Sequence, residues 1–470
     1  MTEITTRYDL VAYPAGLFPT TLPDHMAAIA RLHGLDAAAP AKARVLEVAG
    51  GDGVNLIAMA AAWPDARFHS FDLSSAAVGR GATLVAAAGL DNVRVEVDDL
   101  LEVADRLDGP YDYVIVHGLY AWVPEPVREA ALRLIGRVLA PEGVAFVSYN
   151  AQPGGHLRSA IRDMLLHHVG DIADPVERVG AARKVLEQFV APREGDRPVV
   201  AALRQIAEPM LRKNAGSLYH DELSDCYAPQ SLSQVAAAAE QHGLAFLNDA
   251  VPSMLYDGLP GKDLDDAAVV HAAQADDYVA ASFFHQTLLV RPGRGPCRRI
   301  VSANVAGLLA SSQATRTGEG SFAAGEDRFE IGDPRLADFI GLLGEVWPAR
   351  LPLAGFADSL EHCEALVQLA HKTLIGFHAV PYPACLDPGE RPRASPLARA
   401  QIASGATNLF TLDHRMVAFV EPGPRAFLSL LDGTRDRAQI AAAWEQSEFG
   451  GQVSVDEALS QFARAGMLIA

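Results

Sequence analysis

A regular alternation of short apolar runs with longer helical patterns, beginning near residue 43, constrains the fold of this chain most. The apolar runs have the length and composition of buried strands and are separated by Gly-rich or polar turns. They span Arg44–Val48, Arg67–Asp72, Val93–Val97, Tyr111–His117 and Gly143–Tyr149. Alternation of this kind predicts βαβ units, in which a parallel sheet is covered by helices.

The pattern changes after the fifth run. Residues 156–213 carry several helical patterns and no strand pattern. Strand patterns return at Leu244–Leu247, after an Ala-rich helix over Ser231–Gln241, and at Phe283–Val290. We therefore expect a Rossmann-like α/β sheet of seven strands whose last helix and last two strands follow a helical insertion. An insertion at that place is suited to act as a substrate lid.

The 470 residues exceed what one hydrophobic core supports, so several domains are expected. Segments rich in Pro, Gly and Arg at 291–299 and 387–396 mark two breaks. Short helices with strand-like pieces beyond the second break suit a winged-helix-like module. The predicted division begins with 1–155 for the first part of the Rossmann-like core, 156–215 for the helical insertion and 216–292 for the end of the core sheet or a regulatory region. It continues with 293–390 for a middle α/β domain and 391–470 for a winged-helix-like C-terminal domain.

Composition excludes several functional classes. The formal charge of −19 argues against a nucleic-acid binder, which needs a basic surface to neutralise phosphates. No stretch of 18 apolar residues predicts a membrane span, and the N-terminal ten residues contain no apolar signal segment. Four cysteines without pairing or CxxC spacing predict reduced thiols in a cytoplasmic protein. The histidines lack metal-ligand spacing, so no metal site is predicted.

The loop Glu47–Gly53, between the first strand and its helix, is the candidate cofactor loop. Its glycines allow a tight turn and a close approach of the backbone to a ligand. Asp72 ends the second strand, where a carboxylate can accept hydrogen bonds from both ribose hydroxyls. Asp99 ends the third strand and is placed to reach an adenine edge. S-adenosylmethionine (SAM) has no pyrophosphate and carries an ammonium and a sulfonium, so an acidic loop favours it; an NAD-binding turn and an accidental Gly-rich loop are the alternatives.

Motifs along most of the chain match one family. They are VLEVAGGDGVN (Val45–Asn55), FDLS (Phe71–Ser74), HGLYAWVP (His117–Pro124), SYNAQPG (Ser148–Gly154), IRDMLLHH (Ile161–His168), YHDEL (Tyr219–Leu223), FHQTLLV (Phe284–Val290) and LLDGTRDR (Leu430–Arg437). In these motifs the chain resembles the bacterial class I SAM-dependent methyltransferases with a methyltransferase regulatory domain. That group includes rickettsial protein lysine methyltransferases, which act on outer-membrane protein B. The match is loose from about residue 300 to 390.

The resemblance implies a set of cofactor-binding residues at the matching positions. They are Glu47, Ala49, Gly51, Gly53, Asn55, Asp72, Leu73, Asp98 and Asp99, with His117 and Gly118 on the methyl-transfer side. Ala49 stands where the family usually has its first glycine. Since alanine is the smallest side chain after glycine, the turn is expected to survive, with a looser or shifted methionine pocket as one outcome.

Candidate acceptor-side residues lie at the carboxyl ends of strands four and five, where open α/β sheets bind ligands. They are Tyr120, Trp122, Tyr149 and Asn150. Aromatic faces can hold a methylated ammonium by cation–π attraction, and amide oxygens can orient N–H groups. The alternative for Trp122 and Tyr149 is that they pack the sheet against the insertion.

Three further segments border this predicted site. Arg158, Arg162 and Asp163 share one helix face, which favours a solvated, salt-bridged surface. Tyr219–Glu222 either closes over the acceptor or caps the following helix. The stretch Tyr13–Pro23 resembles the family's N-terminal cover over the cofactor.

These features predict a SAM-dependent methyltransferase that N-methylates lysine side chains of a protein. One alternative is methylation of a small metabolite or cell-envelope intermediate, and a second is a non-catalytic SAM-binding interaction protein. The expected partners are a protein substrate or a small-molecule acceptor, not nucleic acid; assembly as a homodimer is left open.

Overall fold

The computed structural model describes residues 6–193, 195, 197–251, 266–451 and 453–469. Its largest element is a sheet of the strands β1 (Arg44–Val48), β2 (Arg67–Asp72), β3 (Val93–Val97), β4 (Tyr111–Val116), β5 (Leu139–Asn150), β6 (Ala245–Asp249) and β7 (Phe284–Val290). Their spatial order is β3-β2-β1-β4-β5-β7-β6, and only β7 runs antiparallel to its neighbours. The predicted seven-stranded Rossmann-like sheet is confirmed.

Helices cover both faces of this sheet, which is why the central strands are apolar on both sides. In the first part of the chain they are α1 (Arg7–Leu10), α2 (Pro23–Leu32), α3 (Val54–Ala62), α4 (Ser75–Ala88), α5 (Leu100–Arg106) and α6 (Glu125–Val138). The insertion after β5 contains α7 (Gly154–Val169), α8 (Pro175–Val190), α9 (Pro198–Leu211) and α10 (Ala215–Ser217), followed by a π-helical turn at Leu218–Glu222. α11 (Leu232–Gln241) and α12 (Asp266–Ala280) flank β6.

The second half contains smaller sheets. A middle region is built from α13 (Ser302–Ala306), β8 (Leu309–Ser311), β9 (Thr315–Gly318), β10 (Ser321–Ala324), β11 (Asp327–Glu330), α14 (Pro334–Val346), β12 (Leu351–Pro352), α15 (Leu360–His371) and β13 (Gly376–His378). The C-terminal region contains β14 (Arg393–Ala394), α16 (Pro396–Ala403), β15 (Asn408–Phe410), β16 (Met416–Ala418), α17 (Pro422–Leu430), α18 (Arg437–Glu445), α19 (Val455–Arg464) and β17 (Leu468–Ile469). β15 and β16 form an antiparallel hairpin, as expected of the wing of a winged-helix module.

The middle region shares a hydrophobic core with one face of the large sheet, whereas the C-terminal region has its own core. Asp24 on α2 connects the middle region to the domain of the large sheet. Its buried carboxylate accepts hydrogen bonds from the backbone of Ala379 at 2.7 Å and Val380 at 3.0 Å, and it contacts Arg350 at 3.0 Å. Such a carboxylate satisfies several donors at once, which fixes the orientation of the middle region. Within the part of the chain described, no helix has both the length and the apolar character needed to cross a membrane.

Candidate cofactor and acceptor site

A cavity of about 1100 Å³ lies at the carboxyl ends of the parallel strands. It exceeds the roughly 300–1,000 Å³ typical of pockets for a single small ligand. The loop after β1 and the ends of β2 and β3 form one wall, and the ends of β4 and β5 with the insertion form the opposite wall. We refer to these as the cofactor wall and the acceptor wall. All of the predicted site residues line the cavity except Gly53, Tyr120 and Tyr149.

The loop after β1 turns through three left-handed residues. Ala49, Gly51 and Gly53 have φ of 55°, 61° and 69°. The Gly51 amide donates to Asp72 Oδ2 at 2.9 Å, so β2 holds the turn in place. Gly53 lies behind the loop, where a Cβ would come within 2.8 Å of the Val95 side chain. Gly53 is therefore required for packing and does not form the cavity surface.

Glu47 carries a buried carboxylate at the base of the cofactor wall. Its Oε1 accepts a hydrogen bond from Asn55 Nδ2 at 2.7 Å, while Oε2 is buried without a hydrogen-bond partner among the described residues. Burial raises the pKa of Glu47 to about 8, and the neighbouring Asp52 and Asp72 add to the rise. Burial likewise raises the pKa of Asp72. Desolvated carboxylates with an unsatisfied oxygen fit a positively charged ligand.

The rest of the cofactor wall combines polar and apolar groups. Leu73 leaves 39% of its surface exposed and offers an apolar contact for a planar ring. Asp99 caps α5 by accepting from the Leu101 amide at 2.9 Å, and Asp98 forms an ion pair with Arg106. Both aspartates line the cavity, but part of their hydrogen-bonding capacity serves the two ends of α5, Asp99 at its start and Asp98 at Arg106.

On the acceptor wall, Asn150 lines the cavity and Tyr149 does not. Tyr149 is 1% exposed, and its hydroxyl lies 3.0 Å from Thr287 Oγ1 on β7. Successive side chains of a strand point to opposite faces, so the two residues cannot both face the cavity. Tyr120 is also buried, against Tyr149. The prediction that these two tyrosines surround the acceptor is therefore wrong, and the packing alternative applies to Tyr149.

Asn150 and His117 line the cavity near the ends of β5 and β4. Asn150 Oδ1 is buried and has no hydrogen-bond partner within the described residues. His117 Nδ1 lies 2.9 Å from Ser148 Oγ, which also accepts from the Gly118 amide at 2.9 Å. Burial lowers the pKa of His117 to about 4, so the imidazole is neutral near pH 7.

Trp122 lines the cavity, but two guanidinium groups already lie over its ring. The distances from the ring centroid are 5.2 Å for Arg158 and 5.5 Å for Arg162. Arg158 also forms a bidentate pair with Glu222, at 2.7 and 3.2 Å. The prediction of a solvated face is wrong for both arginines, because the turn at Leu218–Glu222 packs over them; their neighbour Asp163 is exposed. Trp122 therefore binds protein cations at the position where we expected it to bind the acceptor.

The mouth of the cavity is covered by residues that the sequence patterns identified only in part. The Tyr8 ring stacks on His220 at 4.1 Å, and the Tyr13 hydroxyl donates to Asp221 at 3.2 Å. The Tyr219–Glu222 segment thus closes over the cavity, whereas Ser231 caps α11. Tyr8 and Phe284 were missed: Phe284 lies in a matched family motif, but nothing near Tyr8 indicated a role.

Comparison with known proteins agrees with this geometry. Residues 45–143 match the methyltransferase domain family, and residues 390–465 match the family described as PKMT, C-terminal winged helix domain. Two curated relatives from Rickettsia prowazekii, named only as uncharacterized proteins, are 30% identical over 288 residues and 34% identical over 161 residues. These matches cover 60% and 34% of this chain, but 52% and 64% of the relatives. The chain thus spans between about half and two thirds of their length.

Solved structures show the same fold over nearly the whole chain. PKMT2 from Rickettsia typhi has a TM-score of 0.79 at 21% identity, over 97% of this chain and 100% of that one. The same protein in complex with AdoHcy has a TM-score of 0.80 at 21% identity, with the same coverage. The predicted fold, with its winged-helix module, and the resemblance to rickettsial PKMT proteins are confirmed. The chain carries a methyltransferase domain whose cofactor is SAM, and the unsatisfied carboxylate of Glu47 fits that cation.

Proposed function

We propose that this chain is a SAM-dependent methyltransferase that N-methylates lysine side chains of a protein. The observation that carries the proposal is the continuity of one cavity from the acidic loop at Glu47 to Asn150 and Arg158. A space that holds a cationic cofactor at one wall and an unsatisfied amide oxygen at the other suits transfer between two bound groups.

The cofactor wall would bind the cation and orient it. Glu47 and Asp72 supply carboxylate oxygens, and Leu73 supplies an apolar contact. Bound SAM brings a methyl group on a sulfonium, which is attacked in line by the acceptor. The protein's contribution is therefore to position the acceptor and to exclude water.

The acceptor wall favours the neutral form of an amine, which is the form able to attack. Burial disfavours a charged ammonium, and a nearby cation disfavours it further. Arg158 lines the cavity, but its charge is balanced by Glu222, so burial is the main cause here. Asn150 Oδ1, with no partner among the described residues, is available to accept an N–H of the acceptor and so orient its lone pair.

Two further features support a protein acceptor. The C-terminal region matches a winged helix domain named for PKMT proteins, and a structure of PKMT2 shares the fold of the whole chain. Regions beyond the catalytic sheet are also more than a small acceptor requires.

We assign the activity to the cytoplasm because the four cysteines are free thiols, as is usual in reducing compartments.

The test is transfer of radioactive methyl from labelled SAM to an extract of the source organism. We expect the label in protein, at lysine, and lost from the precipitable fraction after protease treatment. Asp72→Ala is the negative control. It removes a carboxylate of the cofactor wall and the anchor of Gly51, so it should abolish labelling. Label that stays in small soluble species would favour the metabolite alternative. SAM binding without any transfer would favour the non-catalytic one.

A further inference from the structure

Asn55, on the first turn of α3, makes all four hydrogen bonds available to a side-chain amide. Its Nδ2 donates to Glu47 Oε1 at 2.7 Å and to Thr21 Oγ1 at 3.1 Å. Its Oδ1 accepts from the Phe18 amide at 3.1 Å and lies 2.8 Å from His414 Nε2. A fully used amide has one orientation, so each partner helps to fix the other three.

The roles of the atoms around Asn55 follow from this network. The Phe18 amide can only donate, so the amide oxygen of Asn55 faces it. His414 Nε2 points at the same oxygen and must carry a hydrogen. His414 is 2% exposed, and its Nδ1 is buried with no partner in the described chain. A neutral imidazole with Nε2–H as donor is the form consistent with these surroundings.

His414 belongs to the C-terminal region, 359 positions from Asn55 in the sequence. It lies in the turn of the β15–β16 hairpin and has a left-handed φ of 65°. That conformation costs a residue other than glycine roughly 1 kcal/mol and is found where the surroundings enforce it. Arg415, the next residue, lies over the Trp347 ring of the middle region at 5.2 Å.

The same C-terminal region contacts the helices of the cofactor wall. α16 packs on α4 and α3, which follow β2 and β1. The hairpin turn is thus held between the cofactor domain and the middle region, and only Asn55 separates His414 from Glu47. The geometry joins the C-terminal region to the carboxylate that faces the cationic cofactor.

We propose that His414 is a positioning residue for the cofactor site, through which seating of the C-terminal hairpin sets the affinity for SAM. With the hairpin seated, His414 holds the Asn55 amide so that its nitrogen faces Glu47. Without that donor, the amide loses one of the two groups that hold its oxygen in place, and the Glu47 carboxylate loses a fixed orientation. Because coupling is reciprocal, bound cofactor must also stabilise the seated hairpin.

The test is the affinity of the full chain for S-adenosylhomocysteine, measured by calorimetry so that no turnover is involved. His414→Leu removes the donor at similar volume and should weaken binding about tenfold, within the range usual for coupled sites. His414→Gln keeps an N–H donor and should restore wild-type affinity. Met416→Ala, on the same hairpin but half exposed, is the matched control and should bind normally.

A second measurement is hydrogen exchange of residues 408–418 in the unmodified chain, which should slow when S-adenosylhomocysteine binds. Unchanged affinity in folded His414→Leu, failure of glutamine to restore binding, or exchange that ignores the ligand would each overturn the proposal. If the leucine variant does not fold, the exchange measurement decides.

The inference rests on the cofactor site of the proposed function. Failure of the unmodified chain to bind S-adenosylhomocysteine would contradict the proposed function itself, whereas normal binding by His414→Leu would contradict only the coupling.

Discussion

The two walls of the cavity differ in how they treat charge. On the cofactor wall, Glu47 and Asp72 accept hydrogen bonds from uncharged N–H groups, and burial raises the pKa of both. On the acceptor wall, Glu222 is fully buried and bonded to Arg158 at 2.7 Å and Lys213 at 2.8 Å. Burial alone would raise the pKa of Glu222, but these two cations outweigh it and the pKa is lowered.

This difference separates a wall that requires a ligand from one that is complete without it. A desolvated carboxylate without a cation is unfavourable, and a cationic cofactor relieves the cost when it binds. The pairs around Glu222 are already neutralised, so that wall can keep one shape while acceptors enter and leave. We therefore expect loss of a charged group on the cofactor wall to alter ligand affinity first, and loss of a charged group on the acceptor wall to alter stability first.

Arg158→Met tests the acceptor wall and should have the largest effect on stability. It leaves the buried Glu222 carboxylate with Lys213 in place of two cations, and breaking a buried pair costs about 3–5 kcal/mol. Since Lys213 remains, we expect a loss near 3 kcal/mol in urea unfolding, with SAM affinity little changed.

The matched control is Arg212→Met, which removes an exposed ion pair with Glu208 on the same insertion. Pairs of that kind contribute less than about 0.5 kcal/mol. If both variants lost equally little stability, the acceptor wall would not depend on its internal ion pairs.

Glu47→Gln tests the cofactor wall through pH. Without ligand, the pKa of Glu47 is about 8, so the carboxylate gains its proton as pH falls below that value. A cation binds the ionised form, and we expect SAM affinity to fall up to about tenfold per pH unit below 8. The glutamine variant should bind SAM more weakly at pH 9 and show a flatter dependence of affinity on pH.

The matched control is Glu102→Gln, which removes an exposed carboxylate on α5 and should keep the wild-type profile. A flat profile in the unmodified chain would mean that Glu47 is not the group that meets the cation.

The cofactor wall was readable from the sequence because each of its parts is local. A strand, a Gly-rich turn, a helix and a strand with an acidic end follow one another in sequence, and parallel strands bring such ends to one edge. Glu47, Asp72 and Asp99 needed no knowledge of distant contacts. The seven-stranded sheet was predictable for the same reason, since each strand and helix has its own pattern.

The acceptor wall was not readable in the same way. Tyr149 and Asn150 are adjacent in sequence. Which of them faces the cavity depends on the pairing of β5 with β7, and the paired residues are more than a hundred positions apart in the chain. Arg158 was interpreted as solvated because its partner, Glu222, lies 64 positions away. His414 had no signal at all, because its role depends on docking of the hairpin turn onto Asn55.

Ala49 on the cofactor wall stands where the methyltransferase family that the chain resembles usually has a glycine. Its left-handed φ of 55° explains why glycine suits this position. Replacing a left-handed alanine by glycine relieves roughly 1–2 kcal/mol of strain and costs roughly 0.5–1 kcal/mol of chain entropy. We expect Ala49→Gly to stabilise the protein by about 0.5–1 kcal/mol in urea unfolding, with SAM affinity unchanged, because Asp72 already holds the loop through Gly51.

Ala281 is the matched control, since its φ of 51° is also left-handed and it does not line the cavity. Ala281→Gly should bring a similar gain in stability and should also leave affinity unchanged. If Ala281→Gly stabilised the protein while Ala49→Gly did not, the Ala49 methyl group would contribute packing that offsets its strain, since it contacts the core beneath the sheet. If Ala49→Gly instead tightened SAM binding, alanine would be shifting the methionine pocket, and the loop would not be held by Asp72 alone.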